Sequence, residues 1–235
     1  MAIEFDGNNQ YISVPSLAII ELANGFTWSA WCRTTAYDEF WMWVFSSSLR
    51  SSAHYAWFQI GKKDSIGDVR FETGSFTSNT CLDTTGENIA DGNWHHLVGV
   101  WDRSGEKKYI YLDGEEKASA IATVDDPVDE YGYLLIGAQL EIEPGPRQFW
   151  QGDIDECCIW DVALDADEIA TLAKSKRRLA LSVRGDHVVG YWRLDGPNGA
   201  VAAGANSVLD LSGNGNHGTP YNDPVYRGSI LTYPE

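Results

Sequence analysis

Residues Phe149 to Leu172 read FWQGDIDECCIWDVALDADEIATL. Gly152 sits where a turn would feed a strand. Beyond it, Ile154, Glu156 and Cys158 alternate with Asp155, Cys157 and Ile159, which predicts one set facing inward and the other outward. Asp165 followed three residues later by Glu168 is a helix-start pattern, and Ile169 and Leu172 give that helix an apolar edge. The stretch therefore predicts a strand and then a short capped helix over Leu164 to Ser175. An Asp-Glu pair on a strand also places hard oxygen ligands on a rigid element, where calcium could use them.

Outward from this stretch, strand-like runs recur between turn signals. They are Gln10 to Val14, Phe26 to Arg33, Phe40 to Phe45, Tyr55 to Ile60, Val69 to Thr73, His95 to Trp101, Lys108 to Leu112 and Tyr133 to Ile136. Asp6-Gly7, Asn24-Gly25, Asp91-Gly92, Ser104-Gly105 and Asp113-Gly114 mark turns. Many short strands with regular turns predict an all-β sandwich or jelly roll with one short helix.

Composition narrows the function classes. Seventeen Lys and Arg stand against 34 Asp and Glu, a net charge of -17, which repels phosphate backbones and argues against nucleic acid as a partner. The excess fits either plain solubility or cation binding. Ten Trp and eleven Tyr supply strand packing, binding platforms, or both. No run of about 18 apolar residues spans a membrane. The start MAIEFDG shows no signal peptide, so the expected location is extracellular, cell surface or virion by another route, unless the protein acts where it is made. Cys157 and Cys158 are adjacent on a strand and point apart, so no bond between them is expected. Cys32, Cys157 and Cys158 read as small buried apolar residues, and Cys81 as part of a polar loop.

Four segments together resemble the laminin-G-like and pentraxin-like lectin families. They are IEFDGNNQYISV (Ile3 to Val14), FTWSAWCR (Phe26 to Arg33), WHHLVGVWDRSGEKKYIYLDG (Trp94 to Gly114) and the opening stretch, in the family order over roughly residues 3–176. The resemblance implies a concanavalin A-like antiparallel β-sandwich (jelly roll) over residues 1–178. The tail, residues 179–235, contains VVGYWRLDG and VLDLSGNGNHGTPYNDPVY, similar to a flanking element of such domains, and is expected to pack back on the sandwich as edge strands. Pentraxins carry half a disulfide where Cys32 stands, but Val98 occupies the partner's place.

The resemblance also implies a structural calcium between the first and last strands, with Asp6, the Gly7 carbonyl and Asp155 as ligands. The alternative is that Asp6-Gly7 is a turn and Asp155 a hydrogen-bond acceptor. A second, ligand-bridging calcium in IGAQLEIEPGPRQFWQG is not expected. Gln139, Glu141, Glu143 and Gln148 offer oxygens, but Pro144 and Pro146 reshape the loop. For glycan contact, Trp41, Trp43 and Phe45 are predicted on one strand face, opposite Phe40, Met42 and Val44. Tyr55, Trp57 and Gln59 share a face on the next strand. Flat rings stack on sugar C–H groups while amides fix hydroxyls. The alternative for each ring is core packing. Trp150, expected exposed before the closing strand, completes a candidate set of Trp41, Trp43, Trp57, Gln59 and Trp150.

Catalysis is not expected. Enzymes of this fold carry Glu-x-Asp-x-x-Glu, and Asp153 to Cys158 ends in cysteine. His95 and His96 point apart and cannot chelate one ion. The expected function is a non-catalytic carbohydrate-binding or adhesion protein, calcium-aided, with a glycan or polysaccharide partner. The alternatives are a structural or decoration subunit of a virion or surface assembly, and a glycoside hydrolase or lyase.

Overall fold

Alternation along the strands turns into two antiparallel sheets packed face to face. The computed structural model describes residues 1–14, 25–37, 41–50, 55–75, 78–122, 133–139, 145–174 and 180–228, with backbone only at 48–50, 55–58, 74–75 and 78–80. In chain order the elements are β1 (Ala2–Asp6), β2 (Tyr11–Val14), β3 (Phe26–Arg33), β4 (Met42–Arg50), β5 (Tyr55–Lys62), β6 (Val69–Ser75), β7 (Ser78–Asp83), β8 (His95–Asp102), β9 (Lys107–Leu112), β10 (Glu115–Ile121), β11 (Tyr133–Ile136), β12 (Gln151–Trp160), α1 (Ala166–Lys174), β13 (Val188–Trp192), β14 (Thr219–Tyr221) and β15 (Val225–Arg227). One sheet runs β10-β9-β8-β3-β12-β1-β15 with β13 also on β12; the other runs β14-β2-β11-β4-β5-β6-β7. This is a concanavalin A-like jelly roll with one helix.

The space between the sheets is filled by side chains such as Ile3, Phe5, Ile12, Phe26, Trp28, Phe45, Ile60, Phe71, Trp101 and Ile136, all nearly inaccessible to solvent. Gly99 marks how closely the layers approach. A Cβ there would lie 2.8 Å from the Phe71 ring and 3.0 Å from Ile60, so a side chain at this point would push the sheets apart.

The closing strand differs from strict alternation. Asp155 pairs with Trp31 but Cys158 with Ser29, so β12 spends one more residue than β3. This is a β-bulge, with Glu156 at φ 50°. The extra residue shifts the phase. Ile154, Cys157 and Ile159 all face the inter-sheet core, whereas Cys158 and Trp160 face the layer beneath α1. The predicted set of Ile154, Glu156 and Cys158 is thus broken at Glu156. Gly152 lies inside the strand instead of in a turn. A Cβ on it would meet the Arg33 carbonyl at 2.1 Å, so β3 can approach only a glycine.

The bulge divides one edge of β12 between two partners. Gln151 to Ile154 pair with β1, and Cys157 to Trp160 pair with β13. The tail then adds β14 to β2 in one sheet and β15 to β1 in the other. Between β13 and β14 the chain is tied by Asp210. Its Oδ1 accepts from the Tyr191 and Ser212 amides, both at 2.9 Å, and its Oδ2 from the Asn216 amide at 2.9 Å and the Ser212 hydroxyl at 2.8 Å.

The helix begins as the sequence requires. The Glu168 amide donates to Asp165 Oδ1 and the Asp165 amide to Glu168 Oε2, both at 2.9 Å, a reciprocal capping box. Ile169 and Leu172 face the sheet. The four cysteines are free thiols, with Cys157 and Cys158 on opposite sides of the strand as expected. Strands β7 and β10 were not anticipated, because SNTCLD and EEKASAI are largely polar edge sequences.

Candidate functional site

The two sheets present different outer faces. Around Val98, Val100, Tyr111, Cys158 and Trp160 the first is sealed by Leu164, Ile169, Leu172 and Val183. On the second, a bulge between Trp43 and Phe45 sends Met42, Val44 and Phe45 to the core. Phe45 is therefore not a partner of Trp41 and Trp43, contrary to simple alternation. Trp43 is not part of the inter-sheet core cluster, but it is almost wholly buried, its indole N–H donating to Gln148 Oε1 at 2.7 Å, so it supports the face and does not itself stack on a ligand as the sequence predicted. Trp41, just before β4 at φ 63°, stacks on Trp43 with ring centres 6.1 Å apart and planes 16° from parallel. The Arg70 guanidinium lies 4.5 Å from the Trp41 ring centre.

Beside these rings a line of polar side chains crosses the sheet. Arg147 Nε donates to Gln139 Oε1 and Gln139 Nε2 to Gln59 Oε1, each at 3.1 Å. Gln59 Nε2 donates to Glu72 Oε2, and Glu72 Oε1 lies 3.3 Å from Arg70. Arg70 in turn forks onto both oxygens of Asp83 at 2.6 Å. Those carboxylate bonds outweigh burial and hold the Arg70 pKa above its usual value. Gln59 is nearly inaccessible, so it positions Gln139 and Glu72. Every amide and guanidinium in the line is oriented before a ligand arrives, which lowers the entropy lost on binding.

The other candidate residues fall elsewhere. The Trp57 side chain lies outside the described residues; its backbone pairs with Ser48 and Gly74. So do the side chain of Tyr55 and residues 140–144. Trp150 is a correction: its amide donates to the Gly137 carbonyl at 2.8 Å, and its ring is wholly buried between the sheets. It cannot stack on a ligand. The calcium set is a second correction. Asp6 sits opposite Gln151, four residues along β12 from Asp155, about 13 Å at the rise of a strand. Two ligands of one calcium lie within about 5 Å of each other. Asp6 Oδ1 instead accepts the Asn8 and Asn9 amides at 2.9 and 3.4 Å, the geometry of a turn at Gly7. Among the described residues no three His, Cys, Asp or Glu side chains are grouped to hold a metal.

Asp155 and Glu156 share the bulge. Asp155 Oδ1 accepts the Glu156 amide at 3.0 Å, and Glu156 accepts the Tyr191 hydroxyl and lies 3.6 Å from Arg193. Burial, then the nearby Glu156 and Asp195 charges, push the Asp155 carboxyl well above its ordinary pKa. Burial raises Glu156 too. Glu156 is packed against β13 through Tyr191, and Asp155 is wholly inaccessible, with the Met1 ammonium 3.9 Å from its Oδ2. His95 and His96 do point apart: His95 bridges Asp113 and Asp91 at 2.8 and 3.1 Å, while His96 bonds Ser29 at 2.7 Å.

Arg70, Glu72 and Arg147 were absent from the sequence-based set. The first two had a period-two signal, alternating with core Val69 and Phe71 in VRFET. From the sequence, Gln139 and Gln148 stand out only as oxygen ligands for calcium. Nothing in the sequence near Arg147 marks its reach to Gln139.

Known proteins agree with this architecture. A family model described as the concanavalin A-like lectin/glucanases superfamily matches residues 6–170. The chain belongs to that family. The rat protein "Sushi, von Willebrand factor type A, EGF and pentraxin domain-containing protein 1" is 28% identical over 91 residues, 37% of this chain and 3% of that protein. The match therefore spans a small part of that relative. A putative carbohydrate binding protein from Bacteroides ovatus superposes with a TM-score of 0.57 at 20% identity, covering 97% of this chain and 61% of that one. Domain 4 of the arabinanase AbnA from Geobacillus stearothermophilus, in complex with arabinotriose, superposes with a TM-score of 0.53 at 20% identity, over 74% of this chain and 76% of that one.

Proposed function

We propose that this protein is a non-catalytic glycan-binding module, with its ligand on the outer face of β4, β5 and β6. The observation that carries the reading is the Trp41–Trp43 stack beside the hydrogen-bonded line from Arg147 to Asp83. The half-buried Trp41 ring offers apolar surface to sugar C–H groups, the buried Trp43, Gln59 and Gln139 hold the face in place, and the accessible Arg70, Glu72 and Arg147 orient hydroxyls. Proteins of the same fold that are described as carbohydrate binding or that hold a saccharide support the same reading. They also favour action outside the cell or at its surface. Calcium is not part of the proposal, because Asp6 and Asp155 do not meet.

A glycan array with purified protein, repeated with a chelator, tests it. Selective binding that survives chelation and is lost in Trp41→Ala supports the site. No binding by folded protein overturns it in favour of a structural subunit, which Leu209 and Leu211 favour: both are exposed beside a hollow of about 210 Å³.

A further inference from the structure

We propose that a cleft on the helix side of the molecule binds an organic cation, specifically a primary alkylammonium group. The cleft encloses about 480 Å³ between the outer faces of β8 and β9 and the segment leading into α1. That volume lies in the range of small-molecule sites. It is on the sheet opposite the Trp41 face, and no part of the glycan reading enters the argument.

Its walls are of three kinds. Val100, Val162, Ala163 and Leu164 supply an apolar lining. Tyr109 and Tyr111 supply two rings, 6.1 Å apart and inclined at 40°. Asp102, Glu116 and Asp165 supply three carboxylates. Among the described lining residues the one basic side chain, Arg184, is paired, its Nε 2.6 Å from Glu168 Oε1.

Two of the donors an anion would use at the start of α1 are engaged, the Glu168 amide by Asp165 and the Asp165 amide by Glu168. Asp102 is likewise engaged, through Oδ1, by the Ser104 hydroxyl and the Gly105 amide. Glu116, exposed on β10, makes no hydrogen bond or ion pair among the described residues. The Tyr111 phenol is pushed up to about 12, by burial first and then by Glu116, so its ring stays neutral and keeps its negative face. Carboxylates that share a cleft with electron-rich rings attract an ammonium, and the apolar wall accommodates its alkyl stem.

The test titrates the full chain with n-butylammonium and with n-butanol, its neutral counterpart. Amide shifts at Tyr109, Tyr111 and Ala163 are followed by NMR. The ammonium is expected to bind about ten-fold more tightly than the alcohol, the preference to shrink with added salt, and Glu116→Gln to weaken it about three-fold. Glu115→Gln, at a neighbouring carboxylate paired with Lys117, is expected to leave it unchanged. Equal affinity for the two probes, no shift at the cleft, or an equal effect of the two glutamate variants would overturn the proposal. Glycan binding on the opposite face is read separately, so failure of one does not count against the other.

Discussion

The outer faces of the two sheets are built from the same alternation and end in opposite states. Beneath α1 the outward residues are Val98, Val100, Cys158 and Trp160, and a helix covers them. Around Trp43 the outward residues are Gln59, Arg70 and Glu72, and they cover one another with hydrogen bonds. A sheet face that is apolar on both sides needs another layer to remove it from water. A face whose polar groups satisfy each other does not, so it can stay available to a ligand. The difference lies in which chemistry occupies every second position.

The strongest way to break the comparison is to loosen the covering on the helix side without touching the Trp41 face. Asp210 is the most sensitive point. Asp210→Ala leaves the Tyr191, Ser212 and Asn216 amides without their acceptor, and stranded buried donors cost about 1–3 kcal/mol each. A loss of about 4 kcal/mol is expected in denaturant unfolding. Ile169→Ala removes the buried side chain of α1 and is expected to cost about 3 kcal/mol. Glycan affinity per folded molecule should be unchanged in both. A loss of affinity would show that the faces are not independent.

Trp41→Ala sharpens the comparison from the other side. The ring stacks on Trp43 and Arg70 but lies outside the core. Stability should change by less than about 1 kcal/mol, while glycan affinity falls about ten-fold, equivalent to about 1.4 kcal/mol. Calorimetry on the same preparation reads both. Equal loss in both would make Trp41 a structural residue.

How far the sequence carried each face follows from the same physics. Strand propensity between turn signals places strands well, so the runs Phe26 to Arg33, His95 to Trp101 and Lys108 to Leu112 lie within a residue of β3, β8 and β9. Asp165 and Glu168 announced the helix because capping depends on local spacing. The bulges were not legible. Glu156 at φ 50° carries no residue-type mark, unlike a glycine, yet it reversed the phase of everything after it. The bulge after Trp43 did the same to Phe45. Trp150 failed for a different reason. A loop Trp reads as exposed unless the register is known that sends it between the sheets. Gln59 and Gln139 meet across 80 residues of sequence, a pairing that no local pattern contains.

The smallest effect separates two buried carboxylates within the helix-side sheet. Asp210 accepts four hydrogen bonds. Asp155, wholly inaccessible, has its charge opposed by burial, Glu156 and Asp195 more than it is favoured by the Glu156 amide, Arg193 and the Met1 ammonium 3.9 Å away. Its folded pKa is raised above the unfolded value. A group raised in this way stabilises the fold most when protonated, below the unfolded pKa near 4, and that contribution is lost as pH rises through the folded pKa. At pH 7 the ionised form is therefore a burden, and Asp155→Asn is expected to stabilise the protein by about 1 kcal/mol. The gain should fade as acid protonates the native carboxyl. His96 moves the other way. Burial lowers its pKa from 6.5 to about 4, so the unfolded chain takes up the proton first and stability falls by about 3 kcal/mol between those values. The wild-type and Asp155→Asn curves should share that acid decline and converge toward pH 4. Parallel curves, offset equally at pH 7 and pH 4, would mean that the Asp155 charge is satisfied in the fold after all.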